Sequence, residues 1–301
     1  MIKRTIYFGS PTYLSLRNGQ LVVDVAGLTD DKIATQARRT IPVEDIGIVV
    51  LDNRQITITY AVIEALLANN SALITCDSSR MPVGMLLPLS GNTTQNERFR
   101  IQLDASEPLK KQLWQQTVQA KIANQATALH LERGTEVGNM KKWVSEVRSA
   151  DPDNLEARAA VYYWANLFCN FTRDRQGLPP NNLLNYGYAI LRAVVARALV
   201  ASGLLPTLGI HHHNRYNAYC LADDVMEPYR PYVDRVVVEL YEQGHSELDN
   251  VAKSRLLSIP TIEVTIDGQR SPLMIAVGQT TASLFKCFDG QVRRIAYPRM
   301  A

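Results

Sequence analysis

The chain has 301 residues, of which 46% are hydrophobic and 20% are charged, and its formal net charge is +3. These values are those of a folded globular protein, and they indicate neither intrinsic disorder nor a repeat array. The length provides enough core for one large domain or two ordinary domains, and we expect two. The pI near 8.6 allows a locally basic face for a polyanion but does not require one.

The cysteines and the apolar residues argue against a secreted or membrane-bound protein. Cys76, Cys169, Cys220 and Cys287 have no paired spacing, which disfavours both a disulfide framework and a thiolate zinc site. No segment reaches the roughly 18 consecutive apolar residues that span a bilayer, and the first residues lack a long apolar run. We therefore expect a protein of the reducing cytoplasm that has no membrane partner.

Short strand patterns dominate the first ninety or so residues. Asn18-Gly19 separates two of them, and these residue types accept the left-handed backbone of a tight hairpin. Residues 59–69 have apolar side chains at helical spacing, and a turn at Gly91-Asn92 ends the region. The sequence therefore predicts a β-sandwich-like domain over residues 1–92 that opens with an antiparallel sheet and has one helix at its edge. The predicted strands are residues 5–8, 13–16, 21–25, 46–51, 72–76 and 83–89.

Helical patterns follow from residue 95 onward. Residues 109–131 carry apolar side chains at three- and four-residue steps, which is typical of a bundle helix. Residues 183–201 are strong helix formers, and Gly203 follows as a stop signal. The predicted helices are residues 109–131, 153–168, 183–201, 232–241 and 274–285, and residues 134–142 are predicted to be a linker. The fold class is thus predicted to be α+β, with a mainly α-helical catalytic domain over residues 93–301.

Three of the five histidines stand together in the segment 210–234, at His211, His212 and His213. Imidazole nitrogens and carboxylate oxygens are ligands for divalent metal ions, and a nitrogen and oxygen set suits manganese or magnesium better than a thiolate-rich zinc site does. Adjacent side chains diverge, so only one of the three, or two at alternate positions, can reach the same ion. A surface cluster without ligand function is the alternative.

Three acids follow the histidines, at Asp223, Asp224 and Glu227. Their spacing places them on one face of a helical turn, where three carboxylates repel one another unless a cation is close. We favour a metal ion as that cation, although Arg230 could also relieve the repulsion. A solvated helix face, with Asp223 or Asp224 as the helix cap, is the alternative.

Glu156 has two interpretations from its pattern alone. In Asp153-x-x-Glu156 it could be the third residue of a helix and fold back onto the cap as a capping box. It could equally be a site residue. The pattern does not decide between these two roles.

Four features in order resemble the Cas1 family of CRISPR-associated integrases, the enzymes of spacer acquisition. They are Glu156 in a helix, NNLLNYGYAILRAVVARALVASGL at 181–204, GIHHHNRYN at 209–217 and LADDVMEPYRPYVD at 221–234. Their order and spacing match the family over residues 150–240, and the β-rich start with a helical remainder matches its architecture over the whole chain. The form LADDVMEPYRP is most similar to members encoded beside type II effector nucleases.

The resemblance implies a metal triad and a reaction. The ligands fall on Glu156, His212 and Glu227, with His211 or His213 as register alternatives, and Asp224 also lies at the metal site in that family. The implied ion is Mg²⁺ or Mn²⁺. The implied reaction is transesterification, in which the 3′-hydroxyl of a prespacer DNA attacks the repeat array, and family members also nick branched DNA.

The resemblance also implies partners. Members of the family work as homodimers bridged by the small protein Cas2 into a larger integration complex on DNA. Arg230, Arg215, Asn185 and Tyr186 are side chains that could contact DNA phosphates in this chain. Two other classes of function stay open, namely a metal-dependent hydrolase of small phosphoesters and a non-catalytic DNA-binding scaffold.

Overall fold

The structure, a computed structural model, describes residues 2–25 and 38–301. Its contacts divide the chain into two units, Met1–Gly91 and Asn92–Ala301, so the division lies one residue from the predicted domain boundary. The first unit contains mixed sheets and the second is mainly helical, which confirms the α+β fold class.

The first unit is built from eight described strands and one described helix. The strands are Arg4–Phe8 (β1), Thr12–Arg17 (β2), Gln20–Val25 (β3), Arg39–Pro42 (β4), Ile46–Leu51 (β5), Thr57–Ile58 (β6), Ala72–Cys76 (β7) and Pro82–Leu86 (β8), and the helix is Tyr60–Ala68 (α1). They form two four-stranded sheets, with the orders β1-β5-β7-β8 and β4-β3-β2-β6. Leu14, Leu21, Val49 and Val62 come from both sheets and from α1, and they share one buried core.

The predicted hairpin is confirmed at Asn18 and Gly19, whose φ angles are 51° and 71° and which join β2 to β3. The strand β5 pairs in parallel with both β1 and β7, which the sequence patterns did not predict. A parallel neighbour requires a crossover, and the segment that contains α1 supplies it between β5 and β7. The buried run Ile46–Leu51 fits such a strand, because it is covered on both faces.

The second unit contains nine described α-helices and one hairpin. The helices are Gln95–Leu103 (α2), Glu107–Arg133 (α3), Gly138–Glu146 (α4), Leu155–Leu167 (α5), Asn181–Ala201 (α6), Cys220–Met226 (α7), Arg230–Glu242 (α8), Asn250–Leu257 (α9) and Leu273–Phe288 (α10), and the hairpin strands are Glu263–Ile266 (β9) and Gln269–Pro272 (β10). A single 3-10 turn, Glu227–Tyr229, separates α7 from α8.

Two long helices organise this unit. Helix α3 is capped by Ser106, which accepts a hydrogen bond from the Leu109 amide, and it ends at Gly134 in the left-handed conformation. Helix α6 is long and apolar enough to cross a membrane, but 78% of its most apolar window is buried inside the protein. Helix α6 is therefore a buried core helix, and helices α7, α8, α9 and α10 pack against it.

The predicted linker over residues 134–142 is wrong, because its second half belongs to helix α4. Met140 and Trp143 are the two buried side chains of this short helix. Gln115 and Gln119 of α3 donate hydrogen bonds to the carbonyls of Val147 and Val144, so amide contacts hold the end of α4 to α3. Met140, Trp143, Val144 and Val147 stand at three- and four-residue steps, so the sequence did carry a helical signal here that the linker prediction overlooked.

Replacing Gly187 with alanine is expected to destabilise the second unit by about 1–3 kcal/mol. Gly187 lies in α6, and a Cβ there would stand 2.6 Å from Cγ1 of Val233 and 3.3 Å from side-chain carbons of Leu256 and Ile259. Denaturant unfolding measures the change. Gly278→Ala is the matched control, since no side chain of the described residues, its two chain neighbours aside, lies within 4 Å of its Cβ position, and it should stabilise α10 by about 0.5–1 kcal/mol. Equal effects of the two substitutions would contradict the packing argument.

Candidate active site

Four charged side chains from separate parts of the second unit meet in a buried cluster. Lys121 Nζ of α3 donates a hydrogen bond to Glu156 Oε1 of α5 at 2.6 Å, and it forms an ion pair with Glu227 Oε2 at 2.6 Å. Arg230 Nε donates to the other oxygen of Glu227, Oε1, at 2.8 Å. The side chains of Lys121 and Glu227 are only 11% and 6% exposed, while that of Glu156 is 23% exposed. The cluster thus contains two cations and two anions, and it opens to solvent on the side of Glu156.

The pKa shifts in this cluster show that its charges outweigh burial. Burial raises the pKa of Glu227, but Arg230 and Lys121 lower it to about 2. Burial lowers the pKa of Lys121, yet the charges of Glu227 and Glu156 raise it above the usual value. Glu227 and Lys121 are therefore both charged at neutral pH in the folded protein.

The capping-box interpretation of Glu156 is wrong. Helix α5 begins at Leu155 after Asn154, and the carboxylate that caps it belongs to Asp151, which accepts hydrogen bonds from the amides of Leu155 and Glu156. Asp153, the predicted cap, instead pairs with Arg148. The Glu156 side chain is consequently not used by the helix terminus and points to Lys121.

The carboxylate of Asp224 holds the backbone of the histidine segment. Its side chain is fully buried, and its two oxygens accept hydrogen bonds from the amides of Ile210, His211 and His212 at 2.7–3.2 Å. Gly209 makes this wrapping possible, because a Cβ there would lie 2.8 Å from Asp224 Oδ2 and 2.4 Å from the His212 carbonyl oxygen. The segment between α6 and α7 is therefore folded around one carboxylate.

The three histidines have three different environments. His212 Nδ1 lies 2.5 Å from Asp224 Oδ1, and this hydrogen bond raises the pKa of His212. The ring of His211 stacks on Trp114, with centroids 4.0 Å apart and planes within 3° of parallel. The Nδ1 atom of His213 bonds to the His211 carbonyl oxygen. Only His212 is oriented by a carboxylate, and its Nε2 remains as the nitrogen that could bind an ion.

The other two acids of the segment do not share this arrangement. Asp223 receives two hydrogen bonds from the Arg192 guanidinium, at 2.7 and 3.0 Å, and one from Asn217 Nδ2 at 2.7 Å. Asp223, Asp224 and Glu227 thus each have their own partners, so the repulsion expected from their spacing is already relieved by protein groups. In this arrangement Asp224 orients His212, and its role as a metal ligand stays a prediction.

The donor chemistry of the cluster fits a hard divalent cation. Two carboxylates, Glu156 and Glu227, already converge on one positive charge. Metal-binding histidines are usually held by a carboxylate at the other ring nitrogen, as Asp224 holds His212. In the part of the chain that the structure describes, no three His, Cys, Asp or Glu side chains lie close enough to hold an ion as they stand. Lys121 lies between the two carboxylates instead.

The predicted DNA-contact residues are separated by the structure. Arg215 is exposed and lies over the ring of Tyr216, with 4.7 Å to its centroid, so it is accessible to a phosphate. Asn185 accepts a hydrogen bond from Arg173 and donates one to the Arg175 carbonyl, which leaves its amide engaged. Tyr186 has 0% of its surface exposed, and a fully buried ring does not reach a DNA backbone, so we assign it to the core. Arg230 holds Glu227.

Lys121 is the site residue that sequence reasoning missed. It lies on the buried stripe of α3 beside Trp114, Val118 and Ile122. A lysine is rarely buried unless it is paired with an opposite charge. The position of Lys121 among the apolar residues of the helix was therefore the available signal. Its partners are 35 and 106 residues away, so no local pattern reveals them.

Comparisons with known proteins agree with one another. A family model described as CRISPR associated protein Cas1 matches residues 6–256. A CRISPR-associated endonuclease Cas1 from Neisseria meningitidis serogroup C is 38% identical over 288 residues, which cover 94% of this chain and 91% of the relative. Among solved structures, a casposase bound to integration product has a TM-score of 0.79 at 16% identity, over 98% of this chain and 92% of that one. A chain of a Cas6-RT-Cas1–Cas2 complex has a TM-score of 0.71 at 21% identity, over 97% of this chain and 35% of that one.

A second buried carboxylate, Asp234, is linked to Arg230 through the side chain of Tyr188. The hydroxyls of Tyr163 and Tyr188 donate hydrogen bonds to the two oxygens of Asp234. The Arg230 guanidinium lies over the Tyr188 ring, 4.5 Å from its centroid. Burial raises the pKa of Asp234 from 3.8 to about 7, although the two hydroxyls and the nearby charges of Arg230 and Arg173 lower it.

This pKa predicts a loss of stability as the pH rises. The folded state holds the Asp234 proton more tightly than the unfolded chain, so this stabilisation is complete below pH 3.8 and is lost as the pH passes about 7. The loss is at most about 4 kcal/mol, since each pKa unit is worth about 1.4 kcal/mol. Asp234→Asn should flatten this part of the profile, as measured by urea unfolding across that pH range. The exposed Asp153→Asn serves as control and should keep the parent profile; a steep fall retained by Asp234→Asn would contradict the assignment.

Proposed function

Because the chain belongs to the Cas1 family of CRISPR-associated proteins, we propose that it is a metal-dependent DNA integrase and endonuclease of spacer acquisition. It joins the 3′-hydroxyls of prespacer DNA to the repeat array by transesterification. The observation that carries the proposal is the convergence of Glu156 and Glu227 on one cation, beside the imidazole that Asp224 holds.

Glu156, Glu227 and Nε2 of His212 are the groups that would hold a Mg²⁺ or Mn²⁺ ion. When bound, such an ion supplies Lewis-acid activation of a phosphodiester and lowers the pKa of an attacking hydroxyl. The protein's own contribution is orientation. Asp224 holds His212 through Nδ1, and Arg230 holds Glu227 through Oε1, so two of the three donors have a fixed direction before any ligand arrives.

The reaction exchanges one phosphodiester for another. A new bond forms between the attacking 3′-oxygen and phosphorus, the bond from phosphorus to the leaving oxygen breaks, and the proton of the attacking hydroxyl is balanced by protonation of the leaving oxygen. Positive side chains stabilise the charge of the phosphate during this exchange. Arg215 is exposed beside the histidine segment and is suited to that contact.

The partners follow from the family and from the named relatives. One similar structure is a casposase bound to integration product, and another is a complex that contains Cas2. We expect this chain to bind prespacer and repeat DNA, to form a homodimer and to assemble with Cas2 in the cytoplasm.

Glu156→Ala, His212→Ala and Glu227→Ala should each abolish strand transfer and leave DNA binding largely intact, because each removes one donor and none is needed to hold DNA. The assay is a manganese titration with branched or half-site DNA, with binding measured in parallel. Asp153→Ala is the matched control, since this acid lies three residues from Glu156 but pairs with Arg148 on the surface. It should transfer strands at the parent rate.

Two results would refute the proposal and favour another class. Hydrolysis of small phosphoesters with no effect on DNA would identify a small-ester hydrolase. Binding of DNA without strand transfer by the parent protein, with Cas2 and manganese present, would identify a scaffold. Normal transfer by Glu156→Ala would remove that residue from the reaction.

A further inference from the structure

Lys121 occupies the position of a cation between the two carboxylates of the site. We propose that Lys121 is a resident counter-ion, which holds Glu156 and Glu227 together before a metal ion binds and gives up this position when the ion enters. The displaced ammonium then neutralises the phosphodiester at the site. This proposal rests on the proposed function, because it assumes that the two carboxylates bind the ion.

The geometry shows why the ammonium and a metal ion exclude each other. Lys121 Nζ lies 2.6 Å from one oxygen of Glu156 and 2.6 Å from one oxygen of Glu227. A Mg²⁺ ion binds oxygens at about 2.0–2.1 Å. A Mg²⁺ ion that Glu156 and Glu227 held would therefore need the space that the ammonium occupies. The described residues contain no ready ion site at this place, which agrees with a position already taken.

The surroundings of Lys121 restrict where its side chain can go. Helix α3 is fixed by its buried stripe, so the backbone of Lys121 does not follow the ammonium, whereas its four-carbon stem has freely rotating bonds. Arg230 already occupies the far oxygen of Glu227. The more exposed partner is Glu156, so the open direction for the ammonium lies on its side.

An ordinary buried ion pair is the competing explanation. In that case Lys121 serves stability alone, and metal binding does not depend on it. A resident counter-ion predicts two effects of opposite sign instead. Removal of the ammonium should strengthen metal binding, because a competitor is lost, and it should slow strand transfer, because a positive charge at the phosphate is lost.

The experiment uses Lys121→Met, which keeps an unbranched side chain one atom shorter and removes the charge. Mn²⁺ affinity is measured by electron paramagnetic resonance on the DNA-free protein, and strand transfer is measured at saturating Mn²⁺. We expect Mn²⁺ to bind at least about tenfold more tightly, which corresponds to about 1.4 kcal/mol, while the transfer rate falls at least about tenfold. Lys121→Arg retains the charge and should move the Mn²⁺ affinity far less.

Lys111→Met is the control on the same helix, since Lys111 is exposed, and it should change neither value. An unchanged Mn²⁺ affinity in Lys121→Met, or changes of affinity and rate in the same direction, would overturn the proposal. If Lys121→Met does not fold, Lys121→Gln replaces it. These outcomes are separate from failure of the proposed function, which the parent protein tests by itself.

A different observation concerns the opposite face of α3. A groove of about 940 Å³ lies among α3, α4 and the segment after α10, and Arg293, Arg294 and Arg299 line it. All three are exposed, and none forms an ion pair with any residue that the structure describes. The remaining lining is mostly amide, hydroxyl and apolar groups without a carboxylate.

The geometry points to a second DNA contact in this groove, made to the phosphodiester backbone. Arg293, Arg294 and Arg299 bring three positive charges to one groove that has no carboxylate, and binding of a polyanion there is favoured because its condensed counter-ions are released. Amides and hydroxyls among the arginines are the other groups that commonly contact phosphates. The groove is also joined to the site, because Asn124 Nδ2 donates to the carbonyls of Pro228 and Pro298.

The triple variant Arg293→Gln, Arg294→Gln, Arg299→Gln tests this contact in the full-length protein. The slope of log affinity for duplex DNA against log salt concentration should fall by roughly 2–3, about one for each lost phosphate contact. The control triple Lys141→Gln, Lys142→Gln, Arg270→Gln removes the same charge from exposed positions outside the groove. Equal slopes in the two variants would overturn the contact. Unchanged DNA binding by the arginine variant, together with loss of binding to an acidic protein, would also overturn it, because the groove would then bind a protein instead of DNA. Strand transfer by the parent stays a separate test.

Discussion

The helical unit depends on a balance of buried charges, in which Lys121 and Arg230 face Glu156 and Glu227. Each of these groups loses hydration when it is buried, and only the opposite charges at hydrogen-bond distance recover that loss. Removal of one member would leave a buried charge without its partner, which is costly. The cluster therefore constrains the positions of α3, α5 and the turn before α8 relative to one another.

A second constraint is the carboxylate of Asp224. It accepts three backbone amides and one imidazole, so the histidine segment has little freedom once α7 is in place. When the His212 ring is neutral, the carboxylate favours the tautomer with its proton on Nδ1, and Nε2 then carries the lone pair. This arrangement also requires Gly209, because a side chain at that position would collide with the Asp224 carboxylate.

Much of the fold was predictable from local signals, but the site was predictable only in part. The hairpin at Asn18 and Gly19 follows from residues that accept positive φ, and helix α6 follows from its apolar periodicity. Glu156 could not be assigned by pattern, because a capping box and a site residue have the same sequence form, and the actual cap at Asp151 adopts a left-handed backbone with φ 51°. Lys121 and the burial of Tyr186 depend on packing between distant segments, which no local rule contains.

The distances along the chain between the members of the charge cluster have a consequence for biosynthesis. Lys121 and Glu156 are 35 residues apart, and Glu227 lies far beyond both, so the last member leaves the ribosome long after the first. Contacts of this sequence separation form late, because the intervening chain must close a loop first. A partly synthesised or partly folded chain therefore contains the individual acids and bases but no assembled centre. The topology itself therefore delays assembly of the charge cluster until the chain has been made as far as Arg230.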